Sequence, residues 1–215
     1  GSFLAVGMLN GKIKIWSLKT KSVFRNLDFS PLQVHSMAFL SDQEMIIGLN
    51  KSILKHHNFK SGKTLQKIEL DKDKDPVHNQ IKLKLSNSGN QICVLKKNEA
   101  ILVNLKSLKV IKTLKHSFWV SAADFSPDDE LLTTSGVGKS IYIWKLNENS
   151  EPKLKHGHSG SIISVKYIPG SNAIISSSSD KTIKVWPYKD SKHVNIIYAN
   201  RSCNWSDLAK DKSMG

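Results

Sequence analysis

The feature that most constrains the fold is an eight-residue segment that recurs along the chain at a nearly fixed spacing. The clearest copies are SDKTIKVW, ending at Trp186, VGKSIYIW, ending at Trp144, and LNGKIKIW, ending at Trp16. Two degenerate copies, LNKSILKH and KNEAILVN, end at His56 and Asn104. Successive copies lie 40, 48, 40 and 42 residues apart. This period is typical of repeat proteins in which each repeat folds into one small β-sheet.

Each repeat predicts four short β-strands separated by turn-forming residues. In the last complete repeat the strands are predicted over 162–167, 173–178, 182–186 and 194–198. The third of these alternates Thr182 and Lys184 with Ile183 and Val185, which predicts a half-buried strand with one polar face. A helical fold is disfavoured, because no apolar stripe with a 3.6-residue period persists over a helix length.

The last complete repeat also carries polar and aromatic side chains at distinctive positions. His158 follows a glycine, Asp180 lies in the turn before the third strand, and Trp186 ends that strand. Together with Ser178, or with Ser176 two residues earlier, they resemble the hydrogen-bonded tetrad of the WD40 family. The resemblance covers nearly the whole chain. It implies an all-β fold, a WD40-type β-propeller of four-stranded antiparallel blades.

The resemblance implies a structural role for the tetrad His158, Ser178, Asp180 and Trp186. The carboxylate would accept a hydrogen bond from the imidazole, the imidazole would reach the serine hydroxyl, and the hydroxyl would meet the indole N–H. A buried network of this kind makes a blade rigid when every member has a partner.

The other repeats depart from this pattern, so their blades are expected to rely on apolar packing. The repeat before the last keeps His116 and Trp144 but has Gly138 at the Asp position. The first repeat has Trp16 with Asn10 at the Asp position, and the two middle repeats lack the Trp.

The predicted domain is one propeller over 1–200, while 201–215 form the first strand of a further blade or a C-terminal tail. The blades are predicted as a partial blade over 3–27 and full blades over about 28–70, 71–115, 116–155 and 156–200. Members of the family most often have seven blades, and this chain holds about five. We expect a part of a larger, seven-bladed propeller, with a five-bladed ring that closes by itself as the alternative.

The charge of the chain suggests a polyanionic partner. The net charge is +14, yet of 32 basic residues only Arg25 and Arg201 are arginines. Arginine supplies the planar fork that recognises phosphates and bases, which lysine lacks. RNA bound by a lysine-rich surface and a merely solvated lysine excess therefore both stay open. The two cysteines, Cys93 and Cys203, are too few for a disulfide framework and indicate an intracellular protein, in the nucleus, nucleolus or cytoplasm.

Several patterns of catalytic or ligand-binding type have a simpler explanation. His158, Ser178 and Asp180 are the residue types of a hydrolase triad, but the WD40 tetrad accounts for them. SGVGKS over 135–140 ends like a phosphate-binding loop, but a strand follows it where that motif needs a helix. The histidines at 56–57 and 156–158 have no second ligand cluster at metal-binding spacing. We therefore expect no enzymatic activity, cofactor, metal or small-molecule substrate, and no apolar run is long enough to cross a membrane.

A candidate partner-binding face follows from the family's geometry, in which the loop before the first strand and the turn between the second and third strands share one face. Phe118 and Trp119 lie in such a loop, and Lys51, Lys139 and Lys181 occupy equivalent turn positions. A large aromatic on a loop is a candidate interface anchor. The alternatives are that Trp119 packs under a neighbouring blade and that the lysines are simply solvated.

The sequence predicts a non-enzymatic scaffold that binds other proteins in a multiprotein complex. The lysine content favours a nuclear or nucleolar assembly such as a ribosome-biogenesis particle. The alternatives are a substrate-receptor or sensor module of a larger chain, beside a ubiquitin-ligase or nucleotide-switch part, and a propeller that binds RNA directly.

Overall fold

A computed structural model describes residues 1–70, 80–188 and 195–198. Within these ranges all regular secondary structure is β-strand, which confirms the all-β prediction. The strands form five antiparallel sheets in which neighbours in the sheet are neighbours in the chain. The first sheet has three strands, β1 (Phe3–Gly7), β2 (Lys12–Ser17) and β3 (Ser22–Asp28).

The other four sheets have four strands each. The second sheet comprises β4 (Val34–Phe39), β5 (Glu44–Leu49), β6 (Ile53–Asn58) and β7 (Lys63–Glu69). The third comprises β8 (Ile81–Leu85), β9 (Gln91–Lys96), β10 (Glu99–Asn104) and β11 (Lys109–Lys115). The fourth comprises β12 (Val120–Phe125), β13 (Leu131–Gly136), β14 (Ser140–Lys145) and β15 (Lys153–His156). The fifth comprises β16 (Ile162–Tyr167), β17 (Ala173–Ser178), β18 (Thr182–Pro187) and β19 (Asn195–Tyr198).

The strands of the fifth sheet lie where the repeat predicts them. β16 and β17 have the predicted bounds, and β18 runs one residue past the predicted end at 186. The predicted start of the last strand, Val194, and the tail over 201–215 lie outside the described residues.

The chain divides into two compact units. The first comprises Gly1–Leu85, Gly89–Lys97 and Ile101–Thr113, and the second comprises Ser86–Ser88, Asn98–Ala100 and the chain from Leu114 onward. The single domain over 1–200 and the seven-bladed assembly stay predictions.

In each unit the core lies between successive sheets. One cluster in the first unit includes Ile15 of the first sheet and Val34 of the second, and another joins Leu54 to Ile81 of the third. In the second unit Ile143 of the fourth sheet packs in one cluster with Ile162 of the fifth. A strand covered on both faces should be apolar in its middle, as β5 and β9 are.

β13 is equally buried, but its sequence is LLTTSG. Thr133, Thr134 and Ser135 are fully buried. Buried hydroxyl groups need hydrogen-bond partners, because leaving them without one costs about 1–3 kcal/mol each. The partners of Thr134 belong to the candidate site described below.

The half-buried pattern predicted for the third strand of the last repeat was wrong. Thr182 and Lys184 on the predicted polar face of β18 are each only 8% exposed. Lys184 Nζ donates a hydrogen bond to the carbonyl of Gly157 and lies 6.0 Å from the centre of the Trp186 ring. The lysine is therefore buried with its charge solvated by the protein.

Polar contacts fix how the fourth and fifth sheets lie side by side within the second unit. Tyr167 N donates to Asp124 Oδ2 at 2.8 Å, and Thr133 Oγ1 donates to Tyr167 Oη at 2.7 Å. Ser121 Oγ donates to the carbonyl of Ile162 at 3.2 Å. β12 and β16, the first strands of these two sheets, are thereby held next to each other.

Candidate functional site

A chain of buried hydrogen bonds connects β17, β18 and the loop before β16. Trp186 Nε1 donates to Ser176 Oγ at 2.7 Å, and Ser176 Oγ lies 2.7 Å from His158 Nε2. His158 Nδ1 lies 2.8 Å from Asp180 Oδ2. Because the indole can only donate and the ionised carboxylate can only accept, the serine donates to Nε2 and the imidazole carries its proton on Nδ1.

The hydrogen bonds join His158, Asp180 and Trp186 of the predicted tetrad through Ser176 and not through Ser178. Ser176, fully buried, takes the place predicted for Ser178. Ser178 Oγ instead donates to the carbonyl of Ser161 at 2.9 Å. Side chains two residues apart on a strand point to the same face, so the sequence alone allows either serine.

Asp180 is the most heavily hydrogen-bonded member of the tetrad. Its carboxylate accepts from Thr182 N at 2.9 Å, Thr182 Oγ1 at 2.6 Å and Ser159 N at 2.9 Å, besides His158. Burial acts to raise the pKa of Asp180, but these hydrogen bonds outweigh it and hold the pKa well below its ordinary value. The carboxylate is thus a fixed structural anion that joins the turn before β18 to the loop before β16.

The fourth sheet contains a shortened version of the same network. His116 Nε2 lies 2.8 Å from Thr134 Oγ1, which accepts from Trp144 Nε1 at 2.8 Å. Thr134 lies ten residues before its tryptophan, as Ser176 lies ten before Trp186. Thr134 and Ser176 therefore occupy equivalent positions in their two repeats.

Phe118 fills the space that a carboxylate occupies in the fifth sheet. Its ring lies 5.5 Å from that of His116 and 5.3 Å from that of Tyr142. A Cβ atom added to Gly138 would lie 2.2 Å from Phe118 Cδ1. Phe118 is half-buried and stabilises the blade by aromatic packing, so Trp119 is the stronger candidate for contact with a partner.

The three turn lysines share an unusual backbone conformation. Lys51, Lys139 and Lys181 have φ angles of 59°, 63° and 65°, in the left-handed region. Gly11 occupies the equivalent position in the first repeat, with φ 87°. Glycine is favoured there, and a lysine costs on the order of 1 kcal/mol. The sequence predicted the positions of these lysines but not their conformation.

In the second unit, the loops before β12 and β16 and the turns after β13 and β17 form one end of the sheets. We call residues 116–119, 136–139, 158–161 and 178–181 the turn edge. It is held together by backbone hydrogen bonds from Val137 N to Trp119 O at 3.1 Å and from Ser179 N to Ser161 O at 2.9 Å.

The turn edge displays both apolar and basic side chains. Trp119 is 47% exposed and Val137 is 54% exposed. Lys139 and Lys181 are exposed as well. The sequence did not indicate Val137, whose exposure follows from its place at the tip of the β13–β14 turn. Lys51 lies in the first unit, where it is also exposed.

The opposite end of the fourth sheet carries mostly carboxylates. They surround a groove of about 490 Å³ and comprise Asp128, Glu130, Glu148 and Glu151. Lys145 and Lys153 also line this groove, and Lys145 Nζ lies 2.9 Å from Glu148 Oε1. The two ends of this sheet therefore differ in charge.

The residues proposed for other chemistries lie apart or have structural partners. Ser176, His158 and Asp180 are hydrogen-bonded in the order of a Ser-His-Asp triad, but Ser176 is fully buried and accepts from Trp186, so its hydroxyl is not accessible to a substrate. Lys139 of SGVGKS lies in a hairpin turn. Among the described residues, no three His, Cys, Asp or Glu side chains gather closely enough to hold a metal ion. The described ranges also contain no helix with the length and apolar character needed to cross a membrane.

The recurring sheets and the tetrad first define a class: the chain is a repeat protein built from antiparallel β-blades of about 40 residues. The family model of the WD domain, G-beta repeat, matches residues 108–145 and 150–187. These ranges contain the networks of Trp144 and Trp186. The chain therefore contains two WD40 repeats, and proteins with this repeat are generally non-enzymatic scaffolds for protein interaction.

Curated relatives show the same similarity over long or short stretches. WD repeat-containing protein 1 of Bos taurus is 24% identical over 206 residues, covering 92% of this chain and 34% of the relative. The small ribosomal subunit protein RACK1 of Neurospora crassa is 31% identical over 87 residues, covering 40% of this chain and 28% of the relative. The Denticleless protein homolog of Danio rerio is 35% identical over 72 residues, covering 33% of this chain and 11% of the relative. The chain thus spans about a third of the length of WD repeat-containing protein 1.

Asp180→Ala should lower the free energy of unfolding by about 1–3 kcal/mol, because it leaves the buried donors of His158 and Thr182 without their acceptor. Asn10→Ala should cost clearly less, since Asn10 Oδ1 accepts an exposed bond from Lys12 N at 3.2 Å. Chemical denaturation of both variants measures the difference. Equal losses would contradict the structural role assigned to Asp180.

In the fourth sheet Phe118 fills the space that a carboxylate at position 138 would occupy. Substitutions at Gly138 and Phe118 should therefore have non-additive effects on the free energy of unfolding. Gly138→Asp alone should destabilise the fold, because its Cβ meets the Phe118 ring. Phe118→Gly alone should cost about 2–4 kcal/mol of packing. The double variant should be more stable than the sum of the two changes implies, since the new carboxylate can accept from His116 Nδ1. A double-mutant cycle measures this coupling, and additive losses would refute it.

Buried histidines predict that stability falls as the pH is lowered. Burial is the main cause that lowers the pKa of His57, His116 and His158. Below a pH of about 6.5 the unfolded chain therefore binds protons that the folded chain does not, so folding weakens between pH 7 and pH 5. In His116→Asn the dependence of unfolding free energy on pH should be shallower, by up to about 1.4 kcal/mol per pH unit. An unchanged slope would argue against this contribution of His116.

Proposed function

We propose that the chain is a non-enzymatic scaffold that binds other proteins through the turn edge. The observation that carries the proposal is the exposed pair Trp119 and Val137 beside Lys139 and Lys181 on loops held by a rigid blade. Loops carried by a packed scaffold are common binding sites, and aromatic side chains contribute much of the energy at interfaces. Trp119 is the central contact of the turn edge. Lys51 has the same turn conformation in the first unit and is proposed as a partner contact of that unit by itself.

We further propose an intracellular assembly, nuclear or nucleolar, of the kind that builds ribosomes. The net charge of +14 supports this, because a basic surface is favourable beside RNA-rich particles. The similarity to a protein named as part of the small ribosomal subunit supports it as well. A cytoplasmic scaffold is the second possibility for its location.

A substrate-receptor or sensor module of a larger chain is the alternative function. It is supported by the short span of the chain relative to its relatives, which leaves room for further parts. Direct RNA binding is the other alternative, supported by the lysine excess and opposed by the presence of only two arginines. The captured partners separate these functions: ribosome-assembly proteins, ubiquitin-ligase subunits or RNA.

Affinity capture with the full chain, followed by quantitative mass spectrometry after nuclease treatment, tests the proposal. Trp119→Ala should reduce capture of the specific partners about tenfold, because an interface anchor is lost. Leu154→Ser is the matched control, since Leu154 is 44% exposed on β15, the outermost strand of the same sheet. It should leave capture unchanged.

Three outcomes would contradict the proposal. Loss of all partners on nuclease treatment would favour RNA binding. Equal losses in Trp119→Ala and Leu154→Ser would show that the turn edge is not the contact. Retention of the partners in Trp119→Ala would refute the role of that side chain.

A further inference from the structure

We infer that the turn edge recognises an acidic, extended protein segment that carries a large apolar side chain. This inference rests on the proposed scaffold function and adds the chemistry of the partner. Three independent features of the second unit lead to it: the conformation of the turn lysines, the distribution of carboxylates, and the position of Trp119 beside Val137.

The first feature is the presence of lysine where the backbone favours glycine. Lys139 and Lys181 both adopt left-handed φ angles, of 63° and 65°. Gly11 shows that the same turn accepts glycine in this protein. A strained residue that the fold does not require is a reason to look for a function. The conformation also fixes the direction in which each lysine leaves the turn.

The second feature is that these lysines have no competing anion on the turn edge. The one carboxylate within residues 116–119, 136–139, 158–161 and 178–181 is Asp180. Its side chain is only 6% exposed and accepts hydrogen bonds from His158, Thr182 and Ser159. In the fourth sheet even this carboxylate is replaced by Gly138. The positive charge is therefore directed at solvent and available to a partner.

The opposite end of the fourth sheet strengthens the contrast. Four carboxylates, Asp128, Glu130, Glu148 and Glu151, line the groove there. An acidic segment is thus attracted to one end of the blade and repelled from the other. Such complementarity sets orientation and the rate of association more than it sets affinity.

The third feature is an apolar contact next to the charges. Val137 N donates to the carbonyl of Trp119, which places the two exposed side chains on neighbouring chain segments. Gly136 and Gly138 flank Val137, so no side chain from either neighbour covers it. Trp119 and Val137 together offer a platform for one large apolar residue of the partner.

These features favour a protein segment over a nucleic acid. Nucleic-acid sites combine basic groups with arginine forks or a series of stacking aromatics. The turn edge has no arginine, and Val137 gives no ring for a base to stack on. A segment with aspartate and glutamate around a phenylalanine or leucine is complementary to the lysines and to the apolar platform of the turn edge.

Fluorescence anisotropy with the full chain tests the inference. The probe is a short labelled peptide of aspartate and glutamate residues around one phenylalanine. Two comparison peptides have the carboxylates replaced by amides or the phenylalanine replaced by serine. A labelled poly(U) RNA of equal charge tests nucleic acid as the alternative ligand. The acidic peptide should bind best, with an affinity that weakens as salt increases.

The decisive variant is Lys139→Gly with Lys181→Gly. Glycine suits the left-handed turn, so the fold should keep its melting temperature while both charges are removed. Binding should weaken about fivefold. Lys145→Ala with Lys153→Ala is the matched control, because it removes two charges at the opposite end of the same sheet. It should leave binding of the peptide unchanged.

The possible results separate this inference from the scaffold proposal. Equal weakening by both pairs of lysine variants would overturn the inference, because only net charge would then matter. Equal binding of the amide peptide, or tighter binding of poly(U) RNA, would overturn it as well. If Trp119→Ala abolishes capture of partners while no acidic peptide binds, the scaffold proposal stands and the partner chemistry is wrong.

Discussion

The buried indole N–H of Trp186 imposes the main constraint on the fifth sheet. The ring is only 2% exposed, so its single donor needs an acceptor within the protein. Ser176 supplies this acceptor and must then donate its own proton, which it gives to His158. The imidazole in turn needs Asp180. One buried aromatic side chain therefore determines the residues on two strands, a turn and a loop.

The fourth sheet shows that only part of this network is required. Trp144 and His116 keep a shared hydroxyl, supplied by Thr134, but the carboxylate is absent. An aromatic ring, Phe118, takes its place by packing against the imidazole. Hydrogen bonding and packing thus serve as alternative ways to hold the same loop. A blade that uses packing must bring a large side chain to the turn edge, and the adjacent Trp119 is displayed there.

Much of the fold follows from the sequence, because the period of the repeat and the alternation along strands are set by local rules. The bounds of β16 and β17 are examples. The serine of the tetrad is harder to predict from the sequence. Ser176 and Ser178 lie on the same face of the strand, and only the hydrogen bond from Trp186 distinguishes them. The burial of Lys184 was missed for a related reason. Its hydrogen bond to the carbonyl of Gly157 joins residues 27 positions apart, and no periodic pattern encodes such a contact.

Some features of the candidate site could likewise be predicted from the sequence, and others could not. The positions of Trp119, Lys139 and Lys181 follow from alignment of the repeats, since equivalent residues occupy equivalent turns. Their exposure and the left-handed backbone depend on how the hairpin closes, which the alignment does not report. Val137 has no sequence signal, because a valine beside a strand is most simply read as part of it.

The left-handed turn has a consequence for how this surface can change. At positions 139 and 181 the backbone has a left-handed φ, as Gly11 has in the first repeat, and neither lysine side chain takes part in the hydrogen bonds of His116 or His158. Substitutions there alter the charge that a partner meets while the network that holds the blade stays the same. If the turn edge binds a partner as we propose, recognition and folding are separable in this protein, and a duplicated blade can acquire a new binding preference by changes at the turn alone.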